Sequence, residues 1–308
     1  MRLKTIIFIV MIIFFLMGIG LAYITSGPND RTVSQNKDPL YIKIIDKKDE
    51  YEWKAQDARI DSVWKKTPGI VGRKVDVEAS YKKMKKKGKF DSNLFVYKLI
   101  QPKVSLNDLP ASPIYRGHPD KKMVSFLINV SWGEEYLPDM IETLAKYQVK
   151  ATFFIDGAFA NDFTDLVQMI EEQGHTIGSH GYKHKDMGKM SKSEAKMNLE
   201  QADELLFALT KTKIKYFAPP SGSFNQMTVE AADDLGMETI LWTVDTIDWQ
   251  KPTKDVLLQR VMGKLHNGAT ILMHPTEVTA SSLPELIERI KKEGYRIGAL
   301  PVFLSEER

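Results

Sequence analysis

The chain contains no cysteine. That excludes disulfides, thiolate metal centres and cysteine nucleophiles, so any metal must be held by His, Asp or Glu. It also lacks an excess of one charge. Its 43 Lys+Arg against 40 Asp+Glu leave a net +3, which gives no basis for a nucleic-acid partner. Nor is it poor in apolar residues. With 43% apolar and 27% charged residues over 308 positions, it has the balance of a globular protein, with room for one large domain and a small one. The charge is unevenly spread: residues 1–26 carry +2, residues 27–120 carry +7 and residues 121–308 carry −6. A basic front piece joined to an acidic body predicts two domains with different surfaces.

Arg2 and Lys4 precede an apolar run from Ile6 to Ile24, broken only by Gly18 and Gly20. That is close to the roughly 20 residues that span a bilayer. Residues 1–25 are expected to form a signal anchor or a signal peptide, with Gly20-Leu21-Ala22 as the cleavage candidate. Either outcome places the remainder outside the cytoplasm, and the anchor makes the membrane a partner. Residues 26–39 are polar and read as a linker.

Residues 40–120 read as a small basic α/β domain plus linker. Leu40–Ile45 and Leu94–Ile100 are strand-like, and Ala55–Trp64 and Asp76–Lys87 helix-like. Pro110, Pro113 and Pro119 mark a linker over 106–120. Lys82, Lys83, Lys85, Lys86, Lys87 and Lys89 crowd one stretch. They suit a solvated helix C-terminus, or attachment to anionic wall polymers or lipid headgroups. From Met123 the pattern alternates regularly. Strands are expected at 123–129, 150–155, 174–179, 214–218, 238–244, 269–273 and 295–299. Helices are expected at 134–147, 159–173, 191–209, 226–235, 253–266 and 281–293. Ser191 with Glu194 matches a capping box, and Gly236 a helix C′ position. Repeated β/α units require parallel strands with right-handed crossovers. Asn129, Asp156, His180, Pro219, Asp245 and His274 all fall at or just past strand C-termini, which favours a distorted barrel of about seven units over an open sheet.

Four segments could carry chemistry. His180 and His184 in SHGYKH would share a face on one helical turn, a half-site for zinc, or they are two histidines on a polar loop. In WTVDTIDW, Asp245 and Asp248 lie between Trp242 and Trp249. A carboxylate there could raise the pKa of a histidine, or Asp248 or Thr253 could cap the next helix. His274 in ILMHP ends an apolar strand and, opposite an Asp, is a candidate general acid. The rigid loop FAPPSG could aim a backbone N–H at an oxyanion, or is an ordinary turn.

In order and spacing, VSFLIN, KATFFIDG, GHTIGSHGYKH, FAPPSG, LWTVDTIDW and ILMHP resemble the NodB-homology polysaccharide deacetylases, carbohydrate esterase family four. The resemblance covers roughly residues 121–308 and is nearest to sporulation-associated members of bacilli. It implies a deformed β/α barrel that removes N-acetyl groups from a glycan with a divalent metal, usually zinc. It implies His180 and His184 as metal ligands, His274 as the acid, and Asp248 as the carboxylate that tunes it. Trp249 and Leu272, with Pro219 and Pro220 beside them, would wall the substrate pocket, and the Ser221 amide would be the oxyanion donor. With an external location, it implies N-acetylglucosamine-containing cell-wall glycan as partner, most simply peptidoglycan.

The first motif departs from the family's TFDDG. Asn129 stands at the base position and Val130 at the position of the metal Asp. Asparagine cannot accept a proton at neutral pH, and valine has no lone pair for a metal. The Arg that pairs with the base is replaced by Ala218. Two histidines alone bind metal weakly. Glu134, Glu135 and Asp156 are the candidates for a substitute base, and Asp186 for a third ligand. The expectation is a deacetylase fold whose usual mechanism is impaired, acting weakly or serving as a glycan-binding or scaffold protein.

Overall fold

The computed structural model describes residues 38–308. The proposed anchor over 1–25 and most of the proposed linker lie outside the described residues. Among the described residues, no helix is long and apolar enough to cross a membrane. Two compact units emerge. One combines residues up to Glu52 with Lys74–Lys98, and the other combines Trp53–Arg73 with Leu99–Arg308. The chain therefore passes from one unit to the other more than once, and the boundary does not fall at residue 120.

The first unit packs helix α1 (Pro39–Lys48) and helix α2 (Val77–Lys87) around Tyr41, Ile44, Val75, Tyr81, Met84 and Phe95. The strand expected at Leu40–Ile45 is thus helix. Its start was encoded in Asp38-Pro39: the Asp38 carboxylate accepts from the Leu40 N–H at 2.9 Å, and proline is favoured in the first turn. Asp76 caps α2, and Gly88 ends it at φ +68. The lysine run occupies the second half of α2 and the residue after its cap, where cations complement the helix dipole.

In the second unit, the helix expected at Ala55–Trp64 is instead a hairpin of β1 (Arg59–Asp61) and β2 (Lys65–Thr67). The Asp61 carboxylate closes its turn, accepting from Val63 and Trp64 N–H at 2.8 and 2.9 Å. Strands β3 (Gly72–Val75) and β4 (Tyr97–Ile100), whose residues are divided between the two units, pair with each other. The main sheet is parallel. Its strands are β5 (Met123–Val130), β6 (Thr152–Ile155), β7 (Thr176–Ser179), β8 (Tyr216–Phe217), β9 (Glu238–Thr239), β10 (Val244–Asp245) and β11 (Ala269–Met273). Their order is β10-β11-β5-β6-β7-β8-β9, and β12 (Arg296–Ile297) pairs with the start of β5.

The sheet is a half-barrel rather than a closed seven-unit barrel, since β9 and β10 end it without pairing. The single strand expected at 238–244 is split between those two ends. Ile114, from the expected linker, pairs beside the end of β9. Its N–H donates to Thr239 O and its carbonyl accepts from Leu241 N–H, both at 2.8 Å. Ile114 is fully buried, so the proline-rich stretch is structural rather than a spacer.

β5 is buried along its whole length and alternates strictly. Val124, Phe126, Ile128 and Val130 join the apolar layer between sheet and helices. Met123 and Leu127 face the inner cluster with Phe154, Ile240 and Phe303. The helices are mostly where periodicity put them, including the Ser191–Glu194 capping box.

Candidate functional site

Asp248 opens a 3₁₀ turn just past β10 and is fully buried. The backbone is left-handed at both flanks of that turn, Ile247 and Lys251. The Asp248 carboxylate accepts from the His274 ring Nδ1 at 2.8 Å, the His274 N–H at 2.6 Å and the Thr279 hydroxyl at 2.6 Å. Burial pushes its pKa upward, but these donors outweigh burial and hold it below the ordinary carboxylate value. The pairing of Asp248 with His274 is the arrangement a tuned general acid needs. Asp248 caps nothing; Thr253 caps the next helix. Sequence reasoning missed Thr279. It sits in helix α3 (Glu277–Lys292), which begins four residues before the expected 281 because Thr276 caps it. The Thr-x-x-Thr spacing was the available signal.

His180 and His184 do not lie on a helical turn. Residues 180–185 form a loop with left-handed backbone at Gly181, Lys183 and His184. The loop still brings the two rings to 5.3 Å between centroids. What curls it is Asp156, whose carboxylate accepts from His184 N–H at 2.7 Å and Lys183 N–H at 3.3 Å. The same side chain caps a short helix through Ala158 N–H at 2.8 Å. Asp156 therefore braces the histidine loop and is not a spare base. His180 is buried, with Nδ1 at 2.7 Å from the Ala218 carbonyl oxygen. Burial, and next the neighbouring His184, push its pKa down to about 3, so the ring is neutral. His184 is exposed.

At the end of β5, Asn129 is buried and its Oδ1 has no hydrogen-bond partner. Val130 is fully buried in the apolar layer. Asp186 is committed elsewhere, accepting from the Ser223 hydroxyl at 2.5 Å and pairing with Lys189 at 2.9 Å. Asp245 is likewise committed, accepting from Ile247 N–H at 2.8 Å.

Pro219 and Pro220 are buried, whereas Ser221 is exposed at φ +55. The loop is closed by Gly222 N–H to Pro219 O at 2.9 Å and Ser223 N–H to Pro220 O at 3.0 Å. The Ser221 amide takes no part in that closure. Leu272 is buried on β11, and Trp249 stands out into solvent. Beside Asp248 lies a cavity of about 680 Å³ lined by Trp132, Glu134, Glu135, Trp249, Lys251 and Glu277 among others.

Residues 116–240 match the family model described as polysaccharide deacetylase. The chain is 49% identical to the Bacillus subtilis protein YlxY, over 94% of this chain and 91% of that protein. The chain belongs to the polysaccharide deacetylase family. Within the family it is 30% identical to the peptidoglycan-N-acetylglucosamine deacetylase of Bacillus cereus, over 54% of this chain and 62% of that protein. Among solved structures, the CE4 family pseudoenzyme BA3943 from Bacillus anthracis matches with a TM-score of 0.83 and 47% identity, covering 88% of this chain and 97% of that one. A mutant of that pseudoenzyme, described as having restored enzymatic activity, matches with the same TM-score of 0.83 and 46% identity, over 87% of this chain and 99% of that one.

Deacetylation in this family depends on a metal. The residues here do not fit one. Among the described residues, no three His, Asp or Glu side chains are grouped to hold an ion. The two imidazoles come together, but Val130 offers no donor atom, and the Asp156 carboxylate is already engaged by backbone N–H groups.

Proposed function

We propose that this chain is a glycan-binding member of the polysaccharide deacetylase family that does not catalyse deacetylation, working outside the cytoplasm on N-acetylglucosamine-containing cell-wall glycan. One observation carries the reading. The end of β5 presents an amide, Asn129, and a buried hydrocarbon, Val130, where the chemistry needs two carboxylates. Without a base, no water is deprotonated, and without a third ligand, no metal is held to polarise the amide carbonyl. The residues that the resemblance implies as substrate walls are still present: exposed Trp249, buried Leu272 and the Pro219–Ser221 loop. The similarity to a peptidoglycan deacetylase supports this choice of glycan, and the apolar segment Ile6–Ile24 supports the location.

A second reading, weak catalysis, is favoured by the complete Asp248–His274–Thr279 network. Its acid would have to work with a substitute base. Acetate release by the full chain separates the two. N-acetylglucosamine oligomers and peptidoglycan are incubated with zinc, cobalt or chelator, and retention on insoluble peptidoglycan is measured in parallel. Binding without acetate under any metal is the expected result. Metal-dependent acetate release overturns it.

A further inference from the structure

The cavity beside Asp248 shares Trp249 with the substrate wall that the family resemblance implies, and Trp132, Glu134, Glu135 and Glu277 extend it. Trp132 lies two residues past the end of β5. It is oriented by the turn at Gly133, whose backbone is left-handed at φ +83. A side chain there would meet the Pro275 carbonyl oxygen at 2.0 Å, so the turn sits directly on the His274–Pro275 segment. The Trp132 ring consequently lies parallel to His274, within 8° and 5.9 Å between centroids, yet remains 44% exposed. Trp249, 55% exposed, contributes a second aromatic wall, held by the turn that begins at buried Asp248. Two solvent-facing tryptophans on one cavity are unusual for a surface with no ligand to cover them.

The charges around those rings have a sign. Glu134, Glu135 and Glu277 line the cavity with Lys251 and Lys254. The Lys254 ammonium is already paired with Glu285 at 3.0 Å. The balance is acidic, and the Asp248 carboxylate is shared with His274. Tryptophan faces combined with carboxylates are the chemistry that recognises an organic ammonium ion. At about 680 Å³ the space suits one or two sugar rings.

We propose that this cavity binds a de-N-acetylated hexosamine residue of a glycan, with the sugar ammonium received by Trp132, Trp249 and the surrounding glutamates. The inference rests on the glycan-binding reading and specifies which sugar is held. An N-acetylated residue carries no cation and loses this attraction. A carboxylate-bearing sugar is repelled. A deacetylase fold without its base thus becomes a receptor for what active relatives leave behind: a ring with a free amine.

The test is calorimetric titration of the full chain with the glucosamine tetramer and with the N-acetylglucosamine tetramer. At about pH 6 the sugar amine is protonated, and at about pH 9 it is not. The glucosamine tetramer is expected to bind about tenfold tighter at the lower pH, with the preference gone at the higher. Trp132→Ala is expected to weaken it about tenfold, with Trp132→Phe recovering part of the loss. Glu134→Gln with Glu277→Gln is expected to remove the preference for the glucosamine tetramer at the lower pH. Circular dichroism of each variant checks that it is folded. Equal affinities for the two tetramers, or an unchanged Trp132→Ala variant, overturn the proposal. If the N-acetylated tetramer binds and Trp132→Ala changes nothing, glycan binding stands and this site falls. If neither tetramer binds, both fall.

Discussion

The two halves of the inherited site have fared differently. Around Asp248, every donor has its acceptor: the histidine ring, its backbone N–H and a threonine hydroxyl converge on one buried carboxylate. Around β5, Asn129 and Val130 supply no carboxylate, and the Asn129 oxygen is left without a partner. The reason is mechanical. Asp248 ties together the end of β10, the end of β11 and the first turn of α3, so removing it would leave several buried groups unsatisfied. At positions 129 and 130, a neutral amide and a hydrocarbon spare the cost of buried charge. What persists of this site is the part that also holds the protein together.

The contrast can be broken most forcefully at Asp248. Asp248→Ala is expected to cost about 3 kcal/mol or more in urea unfolding, because it strands three donors in the interior. A cost under about 1 kcal/mol would show that the network is ornamental to folding. Next in size is Asn129→Asp with Val130→Asp. Two buried carboxylates should lower stability by about 2–4 kcal/mol. Added zinc should return part of that loss in a thermal melt if His180 and His184 complete the site. No zinc-dependent shift would mean that the loop can no longer form one.

Acid should distinguish the halves as well. Burial holds His118 and His175 down to about 4, and burial with the adjacent His184 holds His180 to about 3. Unfolded, each titrates near about 6.5. Between these values the unfolded chain binds more protons, so stability is full above about pH 6.5 and falls as pH drops toward 4. The Asp248 carboxylate is lowered, and its contribution persists until more acidic conditions. A urea midpoint that declines across that window, and declines less steeply in His180→Gln, checks the assignment. Asp156→Ala should cost about 1–2 kcal/mol and separate the two histidine rings, visible in their NMR shifts. The smallest effect belongs to Glu135→Gln, within about 0.5 kcal/mol of the parent, since the side chain is exposed.

Much of this is legible in the sequence. The alternation of apolar strands and amphipathic helices from Met123 onward is strong, and the strand-end positions of Asn129, His180 and His274 follow from it. The losses at Asn129 and Val130 are visible as residue identities and need no coordinates. Other features were hidden because they depend on tertiary partners. The histidine pair was expected from helical spacing, yet it is assembled by an Asp156 carboxylate from a distant strand end. The pairing of Ile114 beside β9 was hidden because a run of prolines disguised that segment as a spacer. Leu40–Ile45 looked extended because its apolar residues are contiguous, although the Asp38-Pro39 start favoured a helix. Thr279 was missed because a helix start was placed by its apolar stripe instead of its cap.

The alternation of β5 has an evolutionary corollary. Asn129 and Val130 are adjacent in sequence but project to opposite sides of the sheet, one inward and one into the apolar layer with Ile128 and Ile155. Reversal at position 129 exchanges one polar group for another of the same size. Reversal at position 130 must first drive a charge into hydrocarbon, with no benefit until its neighbour has also changed. Any return to turnover therefore crosses a valley at position 130, whichever position changes first.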